Sequence, residues 1–94
     1  MIVRILDEGQ YRLDNRFFDR LNELDDMLVA VVAGSGAGSG SFDTLFAQLL
    51  DVVRTNGEPL GESELVASDV VLPSPSMDQD DLRALFTGEG VVPG

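Results

Sequence analysis

The sequence has 94 residues and a formal net charge of −11 at pH 7, from 17 acidic side chains and 6 arginines, with no lysine, histidine or cysteine. These absences exclude disulfide frameworks, zinc sites of the Cys or His type, imidazole and thiolate catalysis, Schiff bases and Walker-type phosphate loops. The strong negative charge opposes binding to phosphate backbones and to anionic lipid, so we expect no nucleic-acid partner and no direct membrane insertion.

A single domain is expected over residues 1–94, because the chain is no longer than one ordinary domain. Its longest uninterrupted apolar run, Met27–Ala33, has seven residues, whereas a helix needs about 20 to cross a bilayer. The segment Met1–Arg4 lacks the basic and long apolar regions of an export signal. We therefore expect a cytoplasmic protein.

Residues 2–13 are predicted to form a β-hairpin. Two β-prone segments, 2–6 and 10–13, flank a three-residue turn at 7–9, in which Gly9 can adopt the left-handed conformation. Because side chains alternate between the faces of a strand, the pairing of the two segments decides which side chains face the core.

The hairpin register that pairs Leu6 with Gln10 gives one apolar face and one polar face. It gathers on the apolar face Val3, Ile5, Tyr11 and Leu13. It also sets Arg4 directly opposite Arg12 on the other face, where two like charges are unfavourable. Both arginines therefore need an acidic neighbour.

Two helices are predicted after the hairpin, at 15–33 and 41–55. Asp14 and Ser41 are suitable N-caps, and apolar side chains recur behind each of them at helical spacing. The two apolar stripes are Phe17, Leu21, Leu24, Leu28 and Val31 in the first helix, and Phe42, Leu45, Phe46, Leu49, Leu50 and Val53 in the second. The tract 34–40, which alternates glycine with serine or alanine, is predicted to be a flexible loop between them.

The C-terminal third is predicted to be less regular. Residues 58–77 are irregular except for the β-prone run Val70–Leu72, which can add a third strand to the hairpin. A short helix is predicted at 78–87, and residues 88–94 form an extended tail. These elements predict an α+β fold: a small antiparallel sheet packed on an antiparallel helix pair, with a short C-terminal helix.

None of the motif-like segments indicates catalysis or cofactor binding. The tract 34–40 follows a helix rather than a strand and lacks both the third glycine and the lysine of phosphate loops. The acidic cluster at 78–81 lacks the glycine and glutamate of a calcium loop, and it matches the acidic first turn of a helix. Asp25 and Asp26 are predicted to lie on solvated helix surface. We expect a non-enzymatic protein without a metal or cofactor.

The arginines are distributed unevenly. Residues 1–20 hold four acidic side chains and four arginines, whereas residues 21–94 hold thirteen acidic side chains and two arginines. The hairpin is therefore the least acidic region, and we hypothesise that Arg4 and Arg12 dock an acidic stretch of a partner. The alternative, which the sequence favours, is pairing with an acidic residue of the chain itself: Asp7, Asp14 or Asp69.

Three blocks of sequence stand out in order along the chain. They are Met1–Ile5 with Glu8–Arg12, then Leu21–Asp26, then Glu64–Val66 with Ser68–Asp69, Val71–Pro73, Leu82–Leu85 and Gly90–Pro93. In this order they resemble the PspAA family, the small PspA-associated proteins encoded beside PspA in phage-shock envelope-stress systems. The chain departs from the family's pattern at the long tract 34–40, at Ala67, and at Gly61 and Ser63.

The resemblance implies a non-enzymatic adaptor that binds a PspA-like helical membrane-remodelling protein during envelope stress. Such an adaptor would be cytoplasmic and recruited to the inner face of the membrane by its partner, which is compatible with a net charge that opposes direct lipid binding. The alternative function is a self-associating homodimer without enzymatic activity. The hypothetical partner-binding residues are Arg4, Arg12, Tyr11, Glu64 and Asp69.

Overall fold

The computed structural model describes residues 1–34, 41–61, 66–87 and 90–91, and these residues form four strands, three α-helices and one 3-10 turn. In chain order the elements are β1 (Ile2–Ile5), β2 (Gly9–Arg12), the 3-10 turn (Asn15–Phe17), α1 (Phe18–Val32), α2 (Phe42–Asn56), β3 (Glu58–Pro59), β4 (Val70–Leu72) and α3 (Gln79–Leu85). Residues 35–40 of the predicted loop lie outside the described residues, and so do residues 88–89 and 92–94 of the predicted tail.

The strands form one sheet in the order β3-β2-β1-β4. Neighbouring strands are antiparallel except for β1 and β4, which run parallel. The predicted α+β fold is confirmed, but the sheet is mixed and not purely antiparallel. The reason is topological, because β3 and β4 occupy opposite edges and the chain enters β4 in the direction of β1.

The register of the hairpin differs from the predicted one by two residues. Arg4 lies opposite Gln10 and Ile5 lies opposite Gly9. The predicted pairing of Leu6 fails because its N–H donates to the carbonyl of Leu72 in β4, at 3.0 Å, so Leu6 continues the parallel pair. A shift of two residues preserves the faces, and the apolar face therefore agrees with the prediction.

The core lies between the two long helices and one face of the sheet, which we call the inner face. Helices α1 and α2 contact each other. Leu21, Leu24 and Leu28 of α1 are fully buried, as predicted from their spacing. The rings of Phe42 and Phe86 meet edge to face at 5.6 Å between centroids, and this contact joins the C-terminal end of α3 to α2.

Side-chain caps begin the helices where the sequence indicates them. Asp14 accepts a hydrogen bond from the N–H of Arg16, which begins the 3-10 turn, so the first α-helix starts later than its predicted cap. Ser41 Oγ accepts from the N–H of Thr44 at 3.2 Å and begins α2. Helix α2 ends at Gly57, where a Cβ atom would overlap the carbonyl oxygen of Val53.

Asp25 is the exception to the polar-outside pattern of α1. The residue is fully buried, so the prediction of solvated helix surface is wrong for Asp25, although Asp26 is exposed. The carboxylate accepts a hydrogen bond from the N–H of Val91 at 3.0 Å. Gly90 adopts a left-handed φ of 79°, and a Cβ there would lie 2.5 Å from that carboxylate, so only glycine fits. Asp25 therefore anchors Gly90 and Val91 to α1.

Candidate partner-binding surface

The face of the sheet remote from the helices, which we call the outer face, carries the side chains that alternate with the core residues of the strands. Val3 and Ile5 are completely buried in the core, so the side chain of Arg4 between them points to the outer face. Gln10 lies opposite Arg4 in β2, and Val71 lies beside it in β4. Arg4 therefore occupies the middle of the outer face.

Residues 66–68, which precede β4, lie over part of the outer face. The Nε2 atom of Gln10 donates at 2.8 Å to the carbonyl of Val66 and at 2.8 Å to Oγ of Ser68. These bonds leave Gln10 only 9% exposed. Residues 66–68 thus cover the part of the outer face at Gln10, whereas Arg4 is exposed.

Exposed aliphatic side chains accompany Arg4 on the outer face. The large hydrophobic side chains that are exposed in the described structure are Leu6 (39%), Val66 (40%), Val71 (44%) and Leu85 (42%). Leu6 directly follows β1, Val66 belongs to the segment over Gln10 and Val71 belongs to β4, whereas Leu85 lies on α3. An arginine surrounded by uncovered aliphatic side chains is typical of a protein-binding surface.

The arginines of the outer face differ from the others in having no partner within the described parts of the chain. Two of the other arginines form ion pairs, Arg20 with Glu23 and Arg54 with Glu8. The remaining two place their guanidinium groups over aromatic rings, Arg16 over Phe17 and Arg83 over Phe42. Arg4 and Arg12 take part in no ion pair, hydrogen bond or ring contact with any described side chain.

The internal pairing expected for Arg4 and Arg12 is not found among the described residues. Asp14 is used as a helix cap, and the Oδ2 atom of Asp69 accepts from the N–H of Ile2 at 2.7 Å. The register also removes the direct opposition of the two arginines, because Arg4 faces Gln10 and Arg12 faces Ile2. They are diagonal neighbours, for which the distance between Cα atoms is about 7–8 Å and the repulsion is weaker.

The two arginines are not equivalent. Arg12 has Glu58 as its cross-strand neighbour in β3, although their side chains form no ion pair. The residues directly opposite Arg4 in the neighbouring strands are Gln10 and Val71, an amide and an aliphatic side chain. Neither carries a charge. Arg4 is therefore the less compensated charge and the centre of the candidate surface.

Tyr11, Asp69 and Glu64 do not join Arg4 in one cluster. Tyr11 lies opposite the buried Val3 and therefore on the inner face. Asp69 is exposed at the beginning of β4 and caps the N–H of Ile2. Glu64 lies outside the described residues. Of the five predicted residues, Arg4 and Arg12 share the outer face, and Asp69 lies at its edge.

Tyr11 instead belongs to a polar cluster with Glu8 and Arg54. The tyrosine hydroxyl donates to Oε2 of Glu8 at 2.8 Å, and Nε of Arg54 donates to the same oxygen at 2.9 Å. The hydrogen bond from Arg54 lowers the pKa of the Glu8 carboxyl, with desolvation opposing it. The hydrogen bond to Glu8 raises the pKa of Tyr11. The charge of Arg54 is thus compensated by Glu8, whereas Arg4 has no such partner among the described residues.

Sequence reasoning missed the aliphatic part of the surface. The run Val70–Leu72 alternates between faces, so its middle residue must point away from the core whenever its neighbours point inward. Val70 and Leu72 are buried and Val71 is 44% exposed. That alternation was readable in the sequence, whereas the position of Val66 depends on its long-range hydrogen bond to Gln10.

In the described parts of the chain, no group of three or more Asp or Glu side chains is arranged to hold a metal ion. None of the helices in those parts is both long enough and apolar enough to cross a membrane.

A family model described as PspAA, PspA-associated protein, matches residues 1–94, which is the whole chain. No curated protein and no solved structure matches the chain significantly.

Proposed function

The chain belongs to the PspA-associated protein family, and we propose that it is a non-enzymatic adaptor that binds a PspA-like helical protein through the outer face. Membership in the family supports an accessory role linked to PspA. The observation that carries the proposed binding mode is Arg4, a charge without a described partner that lies among exposed aliphatic side chains.

The partner segment that fits the outer face is both acidic and apolar. A carboxylate of the partner can bind the guanidinium of Arg4 in bidentate geometry, while apolar side chains cover Leu6 and Val71. Arginine surrounded by apolar contacts is a common source of binding energy in interfaces because the contacts exclude water from the charge pair. The remainder of the chain is strongly acidic, so an acidic partner segment is repelled everywhere except near the hairpin.

The absence of lysine, histidine and cysteine from these 94 residues supports a role without catalysis. In the proposed function the protein works at the cytoplasmic face of the membrane during envelope stress. It reaches that face through the PspA-like protein, because a net charge of −11 opposes adhesion to anionic lipid.

The test compares two arginine pairs that carry the same charge. The double variant Arg4→Gln/Arg12→Gln is expected to bind the purified PspA-like protein about tenfold more weakly by calorimetry, because it removes the charge at the centre of the surface. The matched control Arg16→Gln/Arg20→Gln changes the net charge equally outside the outer face and should alter affinity less than about twofold.

Single variants divide the effect between the two arginines. Arg4→Gln should account for most of the loss, since Arg12 already faces Glu58. Equal losses in the two double variants would mean that only net charge matters, and undiminished binding by Arg4→Gln/Arg12→Gln would remove the outer face from the proposal. Thermal unfolding of every variant confirms that the fold is retained.

A further inference from the structure

An open depression lies between helix α2 and the segment that leads from Pro75 into α3, and we call it the α2–α3 groove. Its volume is about 810 Å³. Its floor is apolar and its rim is acidic, and the side chains that define it are Asp43, Phe46, Leu50, Asp51, Pro75 and Leu82. The floor residues Phe46, Leu50 and Leu82 belong to the core, so the groove has a firm base.

The two acidic side chains of the rim are only partly satisfied. Asp43 and Asp51 are eight residues apart on α2, a separation of about 12 Å along the helix axis. Oδ1 of Asp43 accepts from Nε2 of Gln79 at 2.6 Å, and Oδ1 of Asp51 accepts from Oγ1 of Thr55 at 3.1 Å. The second oxygen of each carboxylate accepts no hydrogen bond from any residue that the structure describes.

The one cation on the described lining of the groove does not offset this charge. Arg54 lies at the end of the lining, but both Nε and NH2 of its guanidinium donate to Glu8. The groove therefore presents negative charge at two points along an apolar floor, in a region of the sequence that holds thirteen acidic side chains and two arginines.

We propose that the α2–α3 groove binds a helical segment of a partner protein that carries two basic side chains about two turns apart with apolar side chains between them. Charge complementarity determines this choice, because basic side chains at that spacing meet Asp43 and Asp51. The apolar side chains between them pack against Ala47 and Pro75, which are exposed on the lining of the groove. The acidic excess around the groove also steers a basic segment toward it.

This inference goes beyond the proposed function, because it adds a second docking surface with the opposite charge preference. The outer face takes an acidic and apolar segment, and the α2–α3 groove takes a basic and apolar one. A second copy of the chain is a poorer occupant, since each copy carries a net charge of −11.

The first experiment uses synthetic amphipathic helices of about 18 residues, long enough to be partly helical in water. One peptide places two lysines about two turns apart with leucines between them, and its counterpart has glutamates in place of the lysines. The lysine peptide should bind the full chain in fluorescence anisotropy at least about tenfold more tightly than the glutamate peptide, and the difference should shrink in high salt.

Matched variants locate the binding. In Asp43→Asn/Asp51→Asn, the amide oxygens can still accept the hydrogen bonds from Gln79 and Thr55. The double variant is expected to weaken lysine-peptide binding roughly three- to tenfold, as for the loss of two exposed ion pairs. The control Asp19→Asn/Asp26→Asn makes the same charge change at two exposed positions of α1 and should have less than about twofold effect. Ala47→Trp fills the groove at an exposed position without changing charge, and it should abolish peptide binding.

Each other result overturns the proposal. Equal losses in the two aspartate pairs would mean that binding follows net charge alone, and unchanged binding by Ala47→Trp would place the peptide elsewhere. If the wild-type chain sediments as a dimer or larger and Ala47→Trp makes it monomeric, a second copy occupies the groove instead. The result is independent of the outer face, because Arg4→Gln/Arg12→Gln should bind the lysine peptide as well as wild type does.

Discussion

The outer face and the α2–α3 groove both combine apolar and charged side chains, but they differ in the burial of the apolar ones and in the sign of the charge. On the outer face, the aliphatic side chains are exposed and the charge of Arg4 has no described partner. In the groove, the apolar floor is almost completely buried, and the charged side chains lie on the rim. A net charge of −11 therefore does not decide which partner each surface prefers, because hydrogen bonds and ion pairs compensate some charges of the chain and leave others uncompensated.

The difference in burial gives the largest expected effect, which concerns stability. Leu82 of the groove floor is 2% exposed, so Leu82→Ala should lower the free energy of unfolding by about 2–5 kcal/mol. Leu85 on the same helix is 42% exposed, and Leu85→Ala should change it by less than about 0.5 kcal/mol. Urea denaturation measures both values, and similar losses in the two variants would show that the floor is not part of the core.

The outer face should show the reverse behaviour, with a small effect on stability and a larger one on binding. Val71→Thr keeps the shape and the β-branched side chain but adds a hydroxyl to an aliphatic patch that is 44% exposed. We expect affinity for the PspA-like protein to fall about three- to fivefold by calorimetry while unfolding changes by less than about 0.5 kcal/mol.

The control for Val71 is Leu85→Ala, which removes more aliphatic surface from an equally exposed position on α3. It should leave affinity for the PspA-like protein unchanged. A loss with Leu85→Ala that matches the loss with Val71→Thr would show that general hydrophobicity, and not the outer face, governs the interaction.

The smallest expected effect is a pH dependence at the end of the groove. Arg54 holds the pKa of Glu8 below its ordinary value of 4.5, so this carboxylate contributes stability above that pH and loses the contribution as pH falls through its folded pKa. Glu8→Gln should flatten the acid limb of thermal stability slightly, since the pair is partly exposed. The variant Glu23→Gln, which breaks the exposed pair with Arg20, is the control and should leave that limb unchanged.

Protonation of Glu8 should also change ligand binding in the groove but not on the outer face. Protonation of Glu8 leaves the charge of Arg54 uncompensated at the groove lining, so lysine-peptide affinity should fall at acidic pH in wild type. In Glu8→Gln the affinity should already be lower at neutral pH, and an unaltered affinity there would separate Arg54 from the groove.

Periodic features were predictable from the sequence because they depend on neighbours along the chain. The stripe of α2 is buried from Phe42 to Val53 as its helical spacing predicts. The hairpin faces also agree with prediction, because alternation survives a shift of two residues. Local pattern therefore located the core and placed Arg4 on the surface of the sheet.

Features that depend on distant residues were not predictable. The hairpin register depends on Leu6 bonding to Leu72, and the parallel orientation of β4 depends on which sheet edge the chain enters. In the sequence, Asp25 cannot be distinguished from its exposed neighbour Asp26. Its burial involves Gly90 and Val91, which lie far along the chain and contact its carboxylate. The lack of a described partner for Arg4 is a feature of the same kind, because Asp14 and Asp69, two of the acidic residues expected to pair with it, bind the backbone N–H groups of Arg16 and Ile2 instead.

The most direct test of two separate surfaces with opposite preferences is a pair of titrations of the 15N-labelled chain followed by heteronuclear NMR, one with the PspA-like protein and one with the lysine peptide. We expect the PspA-like protein to perturb the amides of Arg4 and Val71 first, and the peptide to perturb those of Ala47 and Asp51. Perturbation of one common set of amides by both ligands would show that the chain has a single docking surface.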